Sequence, residues 1–265
     1  MGMDIGEAIQ SRDQRANSAS RMVVMMNVWV LILMFLETVI GLVISPLLVL
    51  LWRVVTRWPL SKIARHLIWL YGRFWLWIVS PFVRLRVTGT DRLPLDQPCV
   101  LVANHLSFFD VFFLSALPVF DVAMCVRSWP FKLAWYAPFM RLGDYVDVER
   151  LSWEEIVPKI EQIFREGHSI LLFPQGHRSR DGRLGRFYSG AFKLAIQFNV
   201  PIVPICITGT DRLLPRGRRW MSPANVRLAC LEPIEPAAFQ GEMGHIKLRK
   251  HVKELMGACL AGNGS

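Results

Sequence analysis

Three patterns of apolar and polar positions follow one another along the chain. From Met22 to Trp52 the residues are almost all apolar, and Glu37 is the only charge between Arg21 and Arg53. As one helix this stretch would be roughly 46 Å long, against about 30 Å of bilayer hydrocarbon. It is too long for a signal-peptide core and lacks a small-residue cleavage site. Ser45-Pro46 is expected to break or kink it, because proline brings no N–H to the helix ladder. Two arrangements fit: a single span from Met22 to about Ile44, or a bent helix pair held in one leaflet. A carboxylate at mid-bilayer costs about 2.5–3.5 kcal/mol, so Glu37 favours the one-leaflet form.

The second pattern has a helical period. Leu60, Ile63, Leu67, Leu70, Phe74 and Ile78 recur on one face, with Lys62, Arg65 and Arg73 on others. Such a helix packs on a core, or lies at a membrane surface where Trp58, Trp69, Trp75 and Trp77 would suit it. From Val83 the third pattern sets in, short β-rich runs separated by helical stretches. Strands are predicted over 83–89, 99–104, 121–126, 145–148, 169–173, 201–207 and 225–230. Helices are predicted near 108–117, 131–141, 152–166, 188–199 and 243–260. This alternation reads as an α/β fold, a mixed and largely buried sheet with flanking helices, preceded by an N-terminal membrane-binding helix pair. The division falls between a membrane-associated helical segment, 1–82, and a folded domain, 83–265.

Charge narrows the partners. The chain of 265 residues carries a net charge of +10, is 52% hydrophobic and has ten tryptophans. The basic balance suits nucleic acid, an acidic protein or an anionic lipid surface, and the tryptophans tilt it towards lipid. No RNA-binding aromatic signature is visible, so nucleic acid is not expected. The basic cluster Arg212, Arg216, Arg218 and Arg219 beside Trp220 is a solvated loop by default, but also suits anionic headgroups or an acidic acyl-carrier protein. Arg53, Arg57, Lys62 and Arg65 outweigh the N-terminal side, where Asp4, Glu7 and Asp13 offset Arg12, Arg15 and Arg21. The positive-inside bias therefore places the folded domain in the cytosol, at a cytoplasmic or inner membrane. Five scattered cysteines without a C-x-x-C pair suggest reduced thiols and no zinc site, and the six histidines form no H-E-x-x-H.

Two stretches carry chemistry. In "LVANHLSFFDVFFL" (101–114) a buried strand turns at Asn104-His105, and Ser107 is placed to cap the following helix. Asp110 then sits in the first helical turn, facing His105. Taken alone, His105 reads most simply as a hydrogen-bonded core histidine; a carboxylate beside it can also hold an imidazole in one tautomer and make it a better base. In "LLFPQGHRSRDGRLGRF" (171–187) a strand runs into a loop where Gly176 opens the backbone to an anion and Arg178 offers a planar fork for phosphate. Arg180, Arg183 and Arg186 add charge to this stretch, and Arg183 and Arg186 read as a solvated basic loop.

These stretches resemble a known family. "NHLSFFD" (104–110), "FPQGHRS" (173–179), "SGAFKLA" (189–195) and "VPIVPICI" (200–207) look like the ordered blocks of the PlsC-like glycerolipid acyltransferases, over roughly residues 83–235. The resemblance implies an O-acyltransferase in which His105 is the general base and Asp110 orients it. An acyl chain would pass from acyl-CoA or acyl-carrier protein to a lysophospholipid, 1-acylglycerol-3-phosphate first among them, without a cofactor or metal. Gln175, Gly176, Arg178 and Ser179 would bind substrate, and Arg150 would contact phosphate from a block that is itself imperfect. Two positions depart from the family's F-P-E-G-T-R-S, Gln175 for Glu and His177 for Thr. The Glu is associated with the acceptor, so Gln175 leaves open another headgroup or a lyso-aminolipid. A lipid hydrolase or thioesterase would be expected to show G-x-S-x-G, which the chain lacks, and a non-catalytic lipid-binding protein would have no use for the His–Asp pair.

Overall fold

The computed structural model describes residues 5–179, 181–215 and 217–262, with side chains from Ser20 onward. Arg180, Arg216 and the side chains of Arg12 and Arg15 lie outside the described residues.

The apolar N-terminus forms one helix, α1 (Ile5–Thr56), with Pro46 inside it. The expected break at Ser45-Pro46 does not occur. Proline leaves the carbonyl of Leu42 without its ladder donor, and the Ser45 hydroxyl donates to that carbonyl at 3.1 Å. The helix ends where Arg57 turns left-handed, with φ 58°. The Arg53 guanidinium donates to the carbonyls of Arg57 and Trp58, and Pro59 opens α2 (Leu60–Val79). The two helices pack antiparallel, with the Thr38 hydroxyl 2.8 Å from that of Tyr71 and Trp29 Nε1 donating to Ile78 O at 3.0 Å.

This hairpin touches the rest of the molecule at both ends. Near its start Met26 and Val30 are fully buried, and Asn27 accepts from Met221 N and donates to Met221 O, both at 2.8 Å. Near its tip the Trp58 ring stacks on Phe120, centroids 5.5 Å apart. The outward face stays bare: Phe35, Val39, Val43, Leu47, Leu50 and Val54 are all exposed, at helical spacing.

The folded part builds a seven-stranded sheet in the order β1-β7-β6-β2-β5-β3-β4. The strands are β1 (Val83–Thr88), β2 (Val100–Ala103), β3 (Val122–Val126), β4 (Val146–Asp147), β5 (Ser169–Leu172), β6 (Ile202–Thr208) and β7 (Ala224–Cys230). All seven predicted strands are present. Neighbours run parallel except β6 and β7, which pair antiparallel, so the sheet is mixed. β2 is buried throughout, as its unbroken apolar run requires when both faces are covered. Helix α2 and α3 (Asp110–Phe113) cover one face. On the other lie α5 (Trp153–Arg165), α6 (Gly190–Phe198) and α8 (Gly244–Gly262), with α4 (Ala137–Leu142) near the β4 edge. A short α7 (Thr210–Leu213), which the sequence pattern did not predict, follows β6.

A partly buried ion cluster joins α2 to the start of β3. Arg65, with no exposed side-chain surface, donates from Nε to Asp121 at 2.7 Å; Lys62 approaches the same carboxylate at 3.4 Å. His168 Nδ1 lies 2.9 Å from it, close but poorly aligned for a hydrogen bond. Burial alone would raise the Asp121 carboxyl, but His168 and the Arg65 guanidinium outweigh it and hold the group at about 2.

Candidate active site

His105 stands at the C-terminal end of β2, in the middle of the sheet, where α/β folds place their sites. The turn is fixed before it begins: the Asn104 amide donates to Ile207 O at 2.8 Å and accepts from Ile207 N at 2.7 Å, tying the end of β2 to β6. The imidazole Nδ1 is 2.7 Å from Asp110 Oδ2, and Asp110 is fully buried. That oxygen also accepts the N–H groups of Leu106 (2.6 Å) and Ser107 (2.9 Å), while Oδ1 accepts the Thr210 hydroxyl at 2.5 Å. With its carboxylate so held, Asp110 fixes His105 with Nδ1 as the donor. The nitrogen left for the cavity is Nε2, with a lone pair ready to take a proton.

The local capping differs from expectation. Ser107 is not a side-chain cap; the helix starts at Asp110 with Phe109 before it, and the Ser107 hydroxyl turns to Leu214 O at 3.5 Å. The capping runs the other way, from the Asp110 carboxylate back to the N–H groups of the turn. The hydrogen bond that completes Asp110 comes from Thr210, a hundred residues on, and no local pattern announced it.

His105 opens onto a cavity of about 460 Å³, within the range of small-molecule sites. Its walls are mainly apolar, from Phe108 and Phe112 near the histidine to Met140 and Cys125, and include Tyr71, Tyr136 and Tyr145. Gly176, His177 and Arg178 also line it. Gly176 has φ 69°, a conformation that favours glycine, and a Cβ there would press on the Tyr188 ring at 3.0 Å. Arg178 is exposed and has the reach to meet an anion at the mouth.

Three residues expected to bind substrate lie elsewhere. Gln175 is 1% exposed and does not line the cavity; its amide oxygen accepts the His105 N–H at 3.2 Å. Ser179 points its hydroxyl at Asp181 and at the Arg183 carbonyl, away from the cavity. Arg150 is exposed on the turn after β4, where its N–H is bound by Asp147, and it lines nothing. The arginine that does line the cavity from that side, Arg127, is paired with Glu149. Conversely, the pattern reading gave no role to Phe173, whose ring stacks on the His105 imidazole at 4.2 Å, or to His177 at the mouth. The buried thiols are unsuited to attack, since burial pushes Cys99 up to about 11 and Cys125 up to about 12. Among the described residues no cluster of histidine, cysteine and carboxylate side chains could hold a metal ion.

Residues 84–208, which include both His105 and Arg178, match the family model described as Acyltransferase. This segment resembles an acyltransferase domain. A chloroplastic 1-acyl-sn-glycerol-3-phosphate acyltransferase of Brassica napus is 32% identical to the chain over 168 residues, 59% of this chain and 46% of that one. The human 1-acyl-sn-glycerol-3-phosphate acyltransferase beta is 30% identical over 171 residues, covering 60% of each. The chain spans about half the length of the plant relatives it matches. The acyltransferase fold extends beyond the matched segment. A crystal structure of the 1-acyl-sn-glycerophosphate acyltransferase PlsC from Thermotoga maritima aligns with TM-score 0.76 at 24% identity, over 92% of this chain and 98% of that one.

Proposed function

We propose that this protein transfers a fatty acyl chain from an acyl thioester, acyl-CoA or acyl-carrier protein, to the free hydroxyl of a lysophospholipid. The first candidate acceptor is 1-acylglycerol-3-phosphate, giving phosphatidate, the acceptor class named for its relatives. One observation carries the reading: the Asp110-held imidazole of His105 shares a largely apolar cavity with Arg178. His105 Nε2 takes the proton of the acceptor hydroxyl as its oxygen attacks the thioester carbonyl. The new C–O ester bond forms, the C–S bond breaks, and the proton passes from the imidazolium to the leaving thiolate. General-base assistance of this kind contributes about 10²–10⁴-fold. The apolar walls take the acyl chain, and Arg178 meets the acceptor phosphate.

The same proposal places the protein on the cytosolic face of a membrane. Ser20–Thr56 is long and apolar enough to cross one. What supports an in-plane arrangement is that the hairpin is fastened to the folded part at both its Met26 and Trp58 ends. A helix lying along the domain in this way turns its bare stripe to one leaflet, an amphipathic attachment.

Lipid mass spectrometry of reactions given mixed lyso-lipids and both thioester donors tests the function. Phosphatidate should form from its lyso precursor, and His105→Ala should fall to background while remaining folded. A folded His105→Ala protein that keeps more than a tenth of the wild-type rate would overturn the mechanism.

A further inference from the structure

The segment after β5 has two sides. Gly176, His177 and Arg178 line the cavity. Phe173, which also lines the cavity, Gln175 through its side chain and Ser179 through its backbone N–H each hold a different part of His105. Phe173 stacks on the ring at 4.2 Å, the Gln175 oxygen takes the backbone N–H at 3.2 Å, and Ser179 N–H donates to the backbone carbonyl at 2.8 Å. The remaining N–H groups of the turn, Leu106 and Ser107, go to Asp110. The backbone around the base is thus bound at every step, once by an amide side chain that is itself buried.

We infer that Gln175 is a positioning residue for the base, fixing the His105 backbone at the exit of β2, and that it does not read the acceptor. This inference rests on the acyltransferase reading of the site. A side chain 1% exposed and outside the cavity lining has no surface to offer a headgroup. Its oxygen is already committed to the His105 N–H, and its nitrogen is buried without an acceptor, against Gly185, where a Cβ would lie 3.3 Å from Nε2. At such a point an amide is the less costly occupant. A carboxylate would bury an unpaired charged oxygen, and an unpaired charge costs more than an unpaired amide N–H. Exchanging amide and carboxylate here therefore keeps the oxygen that holds the His105 N–H and leaves the surface met by the acceptor as it is.

The test separates rate from recognition. Gln175→Met removes the acceptor of the His105 N–H at similar side-chain length. The kcat should fall on the order of ten- to hundredfold, the effect of a slightly misplaced catalytic group. The acceptor KM should stay within about twofold, and the ranking of two lyso-lipids with different headgroups should not change. Gln175→Glu keeps an oxygen for the same bond, so it should recover most of the lost rate with the ranking again unchanged. Should Gln175→Met fail to fold, Gln175→Glu carries the test alone. A raised acceptor KM at near wild-type kcat, or a changed ranking in either variant, would overturn the inference. A readout independent of turnover is the imidazole spectrum of ¹⁵N-histidine-labelled full-length protein in detergent. Gln175→Met should move the His105 signals and leave those of His251, on α8, in place. Unmoved His105 signals overturn the positioning role even if the wild-type protein proves to use another substrate.

Discussion

At the scale of single residues, the site divides into groups that hold His105 and groups that only line the cavity. Asp110, Thr210 and Gln175 hold, Phe173 both holds and lines the cavity, and His105 itself, Arg178 and Gly176 face the cavity. Arg178→Ala removes a cation from the mouth without touching the His105–Asp110 bond. It should raise the KM for a phosphate-bearing acceptor at least tenfold more than that for the donor, with kcat little changed, which initial-rate kinetics on both substrates will measure. Equal effects on the two substrates would place Arg178 outside the acceptor site. The His105–Asp110 pair was legible because its two members are five positions apart and flanked by buried runs. The burial of Gln175 outside the cavity lining was not legible, because a block motif lists residues in order but does not say which way each points. On a loop leaving a strand neighbouring side chains diverge without a fixed period, and only the fold shows which of them reach the cavity. Thr210 was invisible for a plainer reason: its contact with Asp110 spans a hundred positions and uses a hydroxyl on an unpredicted turn of helix.

At the scale of elements, the inner strands were readable as continuous apolar runs, and β1 and β7 as β-rich runs that alternate apolar and polar positions. The continuity of α1 was not, since a proline usually ends a helix and its compensation here is a single serine hydroxyl. The attachment of α2 to β3 was equally hidden, and it depends on Asp121. Replacing it by Asn leaves Arg65 fully buried with its main counter-charge gone. Asp144, 3.5 Å away, and the Gly143 carbonyl still face Arg65, so the cost, read by denaturant unfolding of the detergent-solubilised protein, should fall below the about 3–5 kcal/mol of breaking a fully buried pair. The pH dependence has a definite sign. The Asp121 carboxyl is held at about 2 against 3.8 when unperturbed, so its ionised form is favoured by folding. That contribution is complete above about pH 4 and disappears as the pH falls through 2. Wild-type stability should therefore drop over this acid window, and the Asp121→Asn protein should lack that part of the drop. Identical acid limbs in the two proteins would show that the ion cluster is not a stabilising tie.

At the scale of the whole molecule, one face of the hairpin belongs to the core and the opposite face has no protein partner among the described residues. Phe35, Val43 and Val54 are exposed over two-thirds or more of their surface, at 67%, 73% and 68%. An apolar stripe of this length is not held by charge, so the full-length protein should stay with membranes in a high-salt wash and come off in detergent. Release by salt alone would contradict the proposed attachment. Cysteine accessibility on both flanks of α1 should report the same side of the membrane, and opposite sides would indicate a span.

The bond between Asn27 and Met221 also orders events in time. Its partners are 194 positions apart, so the first helix emerges from the ribosome long before the loop that will grip it has been made. At about 5–20 residues per second the wait lasts roughly 10–40 s. During that interval Met26 and Val30 are uncovered together with the outward stripe, and the nascent chain is greasy on every side. A bilayer or a chaperone reached early would shelter it, whereas translation in a membrane-free extract should yield aggregate, with soluble protein recovered when liposomes are present from the start and much less when they are added after synthesis ends.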